Sequence, residues 1–338
     1  MDYIKTIGIN SNQPRGRGFN HPYDIAISSN GRIYVLNRMY PQSTEGIRIQ
    51  ICDLADNWYG EFGNGPGDDK DSFRVPVAMA FDSYDKLYVT DESFHQIKIF
   101  NTDGDFLAAW GGPEVQQEFI QAPAGICVDS DDSILVVEQH RGCITKIDPD
   151  GNIIAKFGKP GSLDGQFNLP WGITVDTQNN IYVADWRNDR IQKFDTSGHF
   201  LMTIGESGHH DGQLYRPSSV AVDSDGNIYV ADWGNERVQV FDDNGRLLNI
   251  MYGEATLSKW ALEWLEVNKD EYNARKNSNL VITDLPSHLN SPYHVSSQTE
   301  HLFWGPVSVK FDTENRFYVT EHSRHRIQIF QRCETTVS

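Results

Sequence analysis

Basic residues are scarce in this chain: 29 Lys and Arg stand against 47 Asp and Glu, a net charge of −18 over 338 residues. A surface of that sign repels phosphate backbones and anionic headgroups, which argues against nucleic acid and membrane partners. Long apolar runs are missing too. With no stretch of 18 or more apolar residues, no membrane-spanning helix is expected. Cysteine is sparse, at Cys52, Cys127, Cys143 and Cys333, and the four lack metal-ligand spacing. The opening MDYIKTIG has no basic segment followed by an apolar one, so it does not read as a secretion signal. Reduced thiols in a cytoplasmic protein are therefore expected.

What the chain does have is a repeated phrase. Asp82, Asp129, Asp176 and Asp223 each close a short apolar run, at a stride of 47 residues. Around each runs Pro, small apolar residues, Asp, a turn, Tyr-Val-x-Asp/Glu and Arg/Gln-Ile-x-x-Phe, as in LPWGITVDTQNNIYVADWRNDRIQKF. Self-similarity at this period means a propeller or a solenoid. Four alternating apolar runs per copy make each copy a four-stranded blade. The blades open at Pro22, Pro76, Pro123, Pro170, Pro217 and Pro306, which predicts an all-β, six-bladed β-propeller spanning 1–338 as one domain. The sixth copy ends at Phe330 without a fourth strand. The N-terminal YIKTIG (Tyr3–Gly8) matches the fourth-strand text FLMTIG, so it is expected to close the ring.

The phrase resembles the NHL repeat over nearly the whole chain, with blade one degenerate. That resemblance implies the fold; it says less about function, because NHL propellers include RNA- and protein-binding modules as well as peptidyl-hydroxyglycine amidating lyases. In those lyases a catalytic zinc is held by histidines that follow the blade-opening prolines. The matching positions are Tyr23, Val77, Ala124, Trp171, Ser218 and Val307, so zinc of that type is not expected. The blade-one text NGRIYVLNR resembles the lyase's first blade, which implies a substrate contact for Arg38.

Asp82, Asp129, Asp176, Asp223 and Asp312 precede turns and read as turn-forming residues. A second series, Asp91, Glu138, Asp185, Asp232 and Glu321 with Asn37 in the blade-one slot, ends the second strands. It has two readings. Each acid caps its blade by pairing with an arginine such as Arg190, Arg237 or Arg326. Alternatively Asn37, Glu138, Asp185 and Glu321 ring the axis and hold Ca²⁺ through oxygen ligands. His95 and His325 occupy the slot of the family's motif histidine and are expected to pack.

The departures from the 47-residue stride fall in the loops between second and third strands and between blades, which open on one face. Blade one has an enlarged loop, 38–46, and an insertion runs over 254–304 between blades five and six. Leu257, Trp260, Ala261, Trp264, Leu265 and Tyr272 follow helical spacing, so the insertion is expected to be partly helical and to cover the mouth as a lid. A brace or a subunit contact would bury such a helix equally well. The same face collects Tyr23, Trp171, Trp186, Trp233 and His21 as substrate-binding candidates. His322, Arg38, His140, Glu138 and Arg187 are the candidate catalytic groups, with Arg324 nearby. His322 is preferred for proton transfer, because Glu321 beside it would keep it titrating near neutrality. The functional expectation is a small-molecule enzyme of lyase, hydrolase or isomerase type acting on a cationic or aromatic substrate. The alternative is a protein- or peptide-binding scaffold.

Overall fold

Alternation in each copy of the repeat produces a sheet whose middle strands are enclosed on both faces. Ile33–Asn37, Leu87–Asp91, Ile134–Glu138, Ile181–Asp185 and Ile228–Asp232 are buried at every position. The outermost strands, such as Phe200–Ile204, expose alternate residues. The computed structural model describes residues 1–11, 13–38, 46–65, 67, 69–112, 119–281 and 285–332. Most of the blade-one loop 38–46, and Cys333, lie outside the described residues.

Six antiparallel four-stranded sheets form a six-bladed propeller. The first five blades run in simple sequence order. In the sixth, Pro306–Phe311, Arg316–Glu321 and Arg326–Gln331 are completed by Asp2–Ile7, which pairs with Arg326–Gln331 through Ile7 opposite Ile327 and Thr6 opposite Gln328. The ring thus closes by the N-terminal strand, as the YIKTIG text predicts. Ile7, Phe19, Ile25, Ile33, Val35, Ile327 and Ile329 bury together across this seam. Each such side chain stabilises by about 1.5–3 kcal/mol.

Three sets of polar residues turn repeat text into repeat geometry. The turn aspartates accept two backbone N–H groups each: Asp176 takes those of Gln178 and Asn180, and Asp223 those of Asp225 and Asn227. The tyrosine of Tyr-Val-x-Asp donates to the other oxygen, as Tyr182 does to Asp176 at 3.1 Å. The second acidic series reaches back 17 residues to hold the incoming linker. Asp91, Glu138, Asp185, Asp232 and Glu321 accept from the amides of Arg74, Gln121, Asn168, Tyr215 and Trp304. Asn37 does the same for Asn20. The third set joins neighbouring blades from left-handed positions. His95, Asp189, Glu236 and His325 accept the amides of Ala122, Arg216, Gly305 and His21 in the next blade.

The insertion holds three helices: α1 (Lys259–Val267), α2 (Lys269–Asn277) and α3 (Pro292–Gln298). The amphipathic helix α1 does not cover the mouth. Trp260 buries against Phe19 in the closing seam, its indole N–H donates to Asp56 O, and the α1 cap Ser258 bonds Gly8 O. The seam supplies the apolar partners this helix needs: Trp260 is buried there with Phe19, Ile25 and Tyr318. The insertion approaches the mouth through α3 instead. Its last turn is held by Arg324 Nη2, which donates to the carbonyls of Ser296, Ser297 and Thr299. Among the described residues no helix is long and apolar enough to cross a membrane.

Candidate functional site

In the Ala-Asp-Trp text of blades four and five, the chain turns sharply after the acid. Asp185 and Asp232 point into their blades, and Trp186–Asn188 and Trp233–Asn235 form 3₁₀ turns that present the tryptophans at the mouth. His322 occupies the same slot in blade six. Tyr23 and Trp171 follow the blade-opening prolines at the top of the innermost strands. These five side chains, with Ser218 and Val307, line one cavity of about 150 Å³. The rings form a continuous wall. Centroid separations are 5.2 Å for Tyr23–His322, 6.3 Å for Tyr23–Trp171, 6.1 Å for Trp171–Trp186 and 6.5 Å for Trp186–Trp233.

His322 differs from its expected electrostatics. Glu321 does not face it; that carboxylate is spent on Arg326, Gln328 and the Trp304 amide. His322 instead sees His21 at 4.7 Å, His325 and Arg38. Burial pushes its imidazole down to about 3, and those neighbours add to the fall. It is neutral at ordinary pH. His21 lies behind the cavity wall: its ring stands 4.6 Å from His325, its amide donates to His325 Nδ1 at 2.8 Å, and burial lowers it.

The arginines flank the wall. Arg38 stacks on Tyr23 at 4.6 Å, with Nη2 3.9 Å from Glu92. Arg187 lies 5.7 Å and Arg216 5.0 Å from the Trp186 ring. Two expected residues do not join this group. His140 is 61% exposed on its side chain and lies 3.9 Å from Glu92. Glu138 is wholly buried in blade three, bonded by Arg141, Thr145, Lys156 and the Gln121 amide, so it cannot reach a substrate as an acid or base. The carboxylate ring around the axis is corrected for the same reason. Asn37, Glu138, Asp185 and Glu321 each point into their own blade and are saturated there. Among the described residues no three His, Cys, Asp or Glu side chains are placed to hold a metal ion together.

Beneath the cavity the axial channel narrows to about 30 Å³. Asp24 accepts from the Met79 amide at 2.7 Å and from Ser308 Oγ at 2.5 Å, and Lys310 Nζ lies 3.3 Å away. The innermost strands crowd there: a Cβ on Gly125 would sit 2.2 Å from Trp171 O. Asp24 and Lys310 were missed in the sequence, although each is the charged member of a column otherwise filled by small residues. Arg216, directly before Pro217, was missed as well; the readable signal is an arginine where blades three and four carry Ala122 and Leu169.

Fold and site define a six-bladed β-propeller with an aromatic cavity at one mouth. Three blades match the NHL repeat, at 167–194, 214–241 and 303–330, so the propeller carries NHL repeats. Human NHL repeat-containing protein 3 is similar over 98 residues at 31% identity. That match takes in 27% of this chain and 26% of the relative, so it spans about a quarter of the relative's length. Among solved structures, a streptogramin B lyase covers 97% of both chains at 14% identity and a TM-score of 0.58. Virginiamycin B lyase from Staphylococcus aureus covers 97% of this chain and 99% of its own at 15% identity and 0.56. A protein of unknown function from Bacteroides thetaiotaomicron reaches 0.63 at 14% identity, covering 98% of this chain and 72% of its own. At these identities the likeness is one of fold.

Proposed function

We propose that this propeller is a small-molecule enzyme working in the mouth cavity, by acid–base chemistry of the lyase type, with hydrolysis and isomerisation as the related reaction classes. The observation that carries the reading is the meeting of Tyr23, Trp171, Trp186, Trp233 and His322 around one cavity. Aromatic walls with few polar groups suit a small apolar molecule. Propellers of the same architecture include lyases, which supports the reaction class. His322 is the proton acceptor, since its neutral ring keeps a free lone pair at physiological pH. Burial is the main cause of its low basicity and Arg38 the smallest of the named contributors, so a negative charge on the substrate relieves only part of it. Arg38 and Arg187 would stabilise that charge as it develops. A binding scaffold is the second reading, and one observation favours it: among the described residues no carboxylate lines the cavity to act as partner acid. Cys52, Cys127 and Cys143 are free thiols, which supports a reducing, cytoplasmic location.

The test is a small-molecule library read by thermal shift on the parent, Trp171→Ala and His322→Ala. Authentic ligands are expected to stabilise the parent and not Trp171→Ala, and to bind His322→Ala without being converted. Compounds that stabilise all three proteins alike would place binding elsewhere and overturn the reading.

A further inference from the structure

Among the described residues, half of the buried side-chain polar atoms without a partner lie on or beside the mouth face, and these are all donors. Among the described residues, Arg38 Nη1, Trp304 Nε1 and Arg324 Nε are buried and bond nothing. Arg38 stacks on Tyr23, the ring that touches His322, and Arg324 and Trp304 stack on one another at 5.2 Å where Arg324 holds the last turn of α3. Unfilled donors of this kind in a native structure call for an acceptor that the chain does not supply.

Charge points the same way. The chain as a whole carries −18, yet the rings of the cavity are flanked by Arg38, Arg187 and Arg216. Neither Arg187 nor Arg216 pairs with a carboxylate among the described residues. The acids that could neutralise the mouth, Asp185, Asp232 and Glu321, are turned into their blades. Among the described residues only Glu92 approaches Arg38, and at 3.9 Å it makes no hydrogen bond. An acidic protein therefore keeps a positive rim around an apolar cavity. Such a rim disfavours a cationic ligand, although aromatic walls alone would accept one. The cavity, at about 150 Å³, has the size that takes a benzene-sized ring. The planar guanidinium fork matches a carboxylate better than a point charge would.

We propose that the mouth cavity takes a single-ring aromatic carboxylate, its ring held by Tyr23, Trp171 and Trp186 and its carboxylate by Arg38. This rests on the reading of the cavity as the working site and narrows it to a substrate class. An anion beside Arg38 offsets one of the smaller contributions to the low basicity of His322, whose main cause is burial.

Phenylacetate, phenylacetamide and phenethylamine share one ring and differ in charge, so they are the probes. Binding is measured by ligand-observed NMR up to millimolar concentration, with quenching of tryptophan fluorescence as a second readout. Phenylacetate is expected to bind about tenfold more tightly than the amide, with the amine weakest. Arg38→Gln should reduce phenylacetate to the affinity of the amide and leave the amide unchanged, and Arg38→Lys should restore part of the difference. Glu92→Gln should tighten phenylacetate alone, a result that stands even if Arg38→Gln folds poorly. Equal affinities, an amine that binds best, no binding by any probe, or a carboxylate preference that survives Arg38→Gln would each overturn the inference. The two readings fail differently. If the three probes bind alike and Trp171→Ala abolishes them, the charge assignment is wrong and the cavity stands. If Trp171→Ala changes nothing, the cavity itself is misassigned.

Discussion

Replacing His325 by Asn is expected to uncouple the closing seam from acid. His325 occupies a left-handed position, φ 56°, and its Nδ1 accepts the His21 amide in blade one. A protonated imidazole has no lone pair there, so the bond requires the neutral ring. Burial, with His21 beside it, pushes His325 down to about 4, against about 6.5 in the unfolded chain. The folded value is depressed, so the unfolded state binds the extra proton. The stabilisation from the neutral ring is full above pH 6.5 and drains away as pH falls from there toward 4. From pH 7 to pH 5 this single group costs about 2 kcal/mol at 1.36 kcal/mol per pH unit. The parent's net change is a poor readout, because Glu236 acts oppositely. Burial raises it to about 7, so acidification over the same window protonates it only in the folded state and stabilises the protein. The difference between variant and parent cancels that term. Asn tolerates the left-handed backbone, and the equally short Asp189 makes the same bond in blade four at 2.8 Å. Urea unfolding of both proteins at pH 7 and pH 5 is the assay. The variant should gain about 2 kcal/mol on the parent between the two pH values. If the two lose stability in parallel, His325 is not held neutral and the account of the seam is wrong.

Deleting residues 1–8 removes the outer strand of blade six and the buried Ile7, and should lower stability by several kcal/mol, of the order of a typical protein's whole margin; an unchanged melting temperature would contradict ring closure. Trp260→Ala should cost about 3–5 kcal/mol by emptying the seam under α1. It should leave ligand binding at the mouth intact, and a loss of binding equal to that of Trp171→Ala would show that α1 serves the cavity after all. Cys52 is fully buried and its thiol is pushed far up, while Cys127 rises to about 12 and Cys143 to about 11. None of the three should react with a thiol reagent at pH 7.5 in the folded protein, and rapid native labelling of any of them would refute that burial.

The architecture was legible because repetition averages out local ambiguity: four copies of Pro-x-x-x-x-x-Asp-turn-Tyr-Val, with Ser28 for the Asp in blade one and Leu135 for the Tyr in blade three, carry the same strand breaks. The N-terminal strand was found by likeness to FLMTIG, since a strand that pairs across the closing seam needs the fourth-strand pattern whatever its place in the chain. Tyr23, Trp171, Trp186 and Trp233 were read as walls, and His322 as a proton-transfer group, from slots on the face of the 2–3 loops, and the structure brings these five side chains to one cavity. What was not legible is what depends on side-chain direction. Glu321 and His322 are neighbours in sequence, but one enters the blade and the other leaves it, so adjacency misled the reading of His322. The carboxylate series looked like a ring because it recurs once per blade. Its 17-residue reach to the preceding linker shows only when both ends are in place. Helical spacing identified α1 and could not say which apolar surface it would meet.

The cluster of Asp24, Ser308, Met79 and Lys310 closes the axis just under the cavity floor, leaving room for about one water molecule at liquid density. The wide funnel of about 630 Å³ on the opposite face is thereby a separate chamber. Among the described residues, the upper chamber is closed off from that funnel by this floor, which leaves the mouth as its way in. Whatever is released there departs by the route the next molecule must use to arrive, so occupancy is exclusive and traffic is strictly alternate. If the chamber turns over a substrate as proposed, the released product contends with the incoming substrate for an empty chamber, the kinetic pattern of competitive product inhibition.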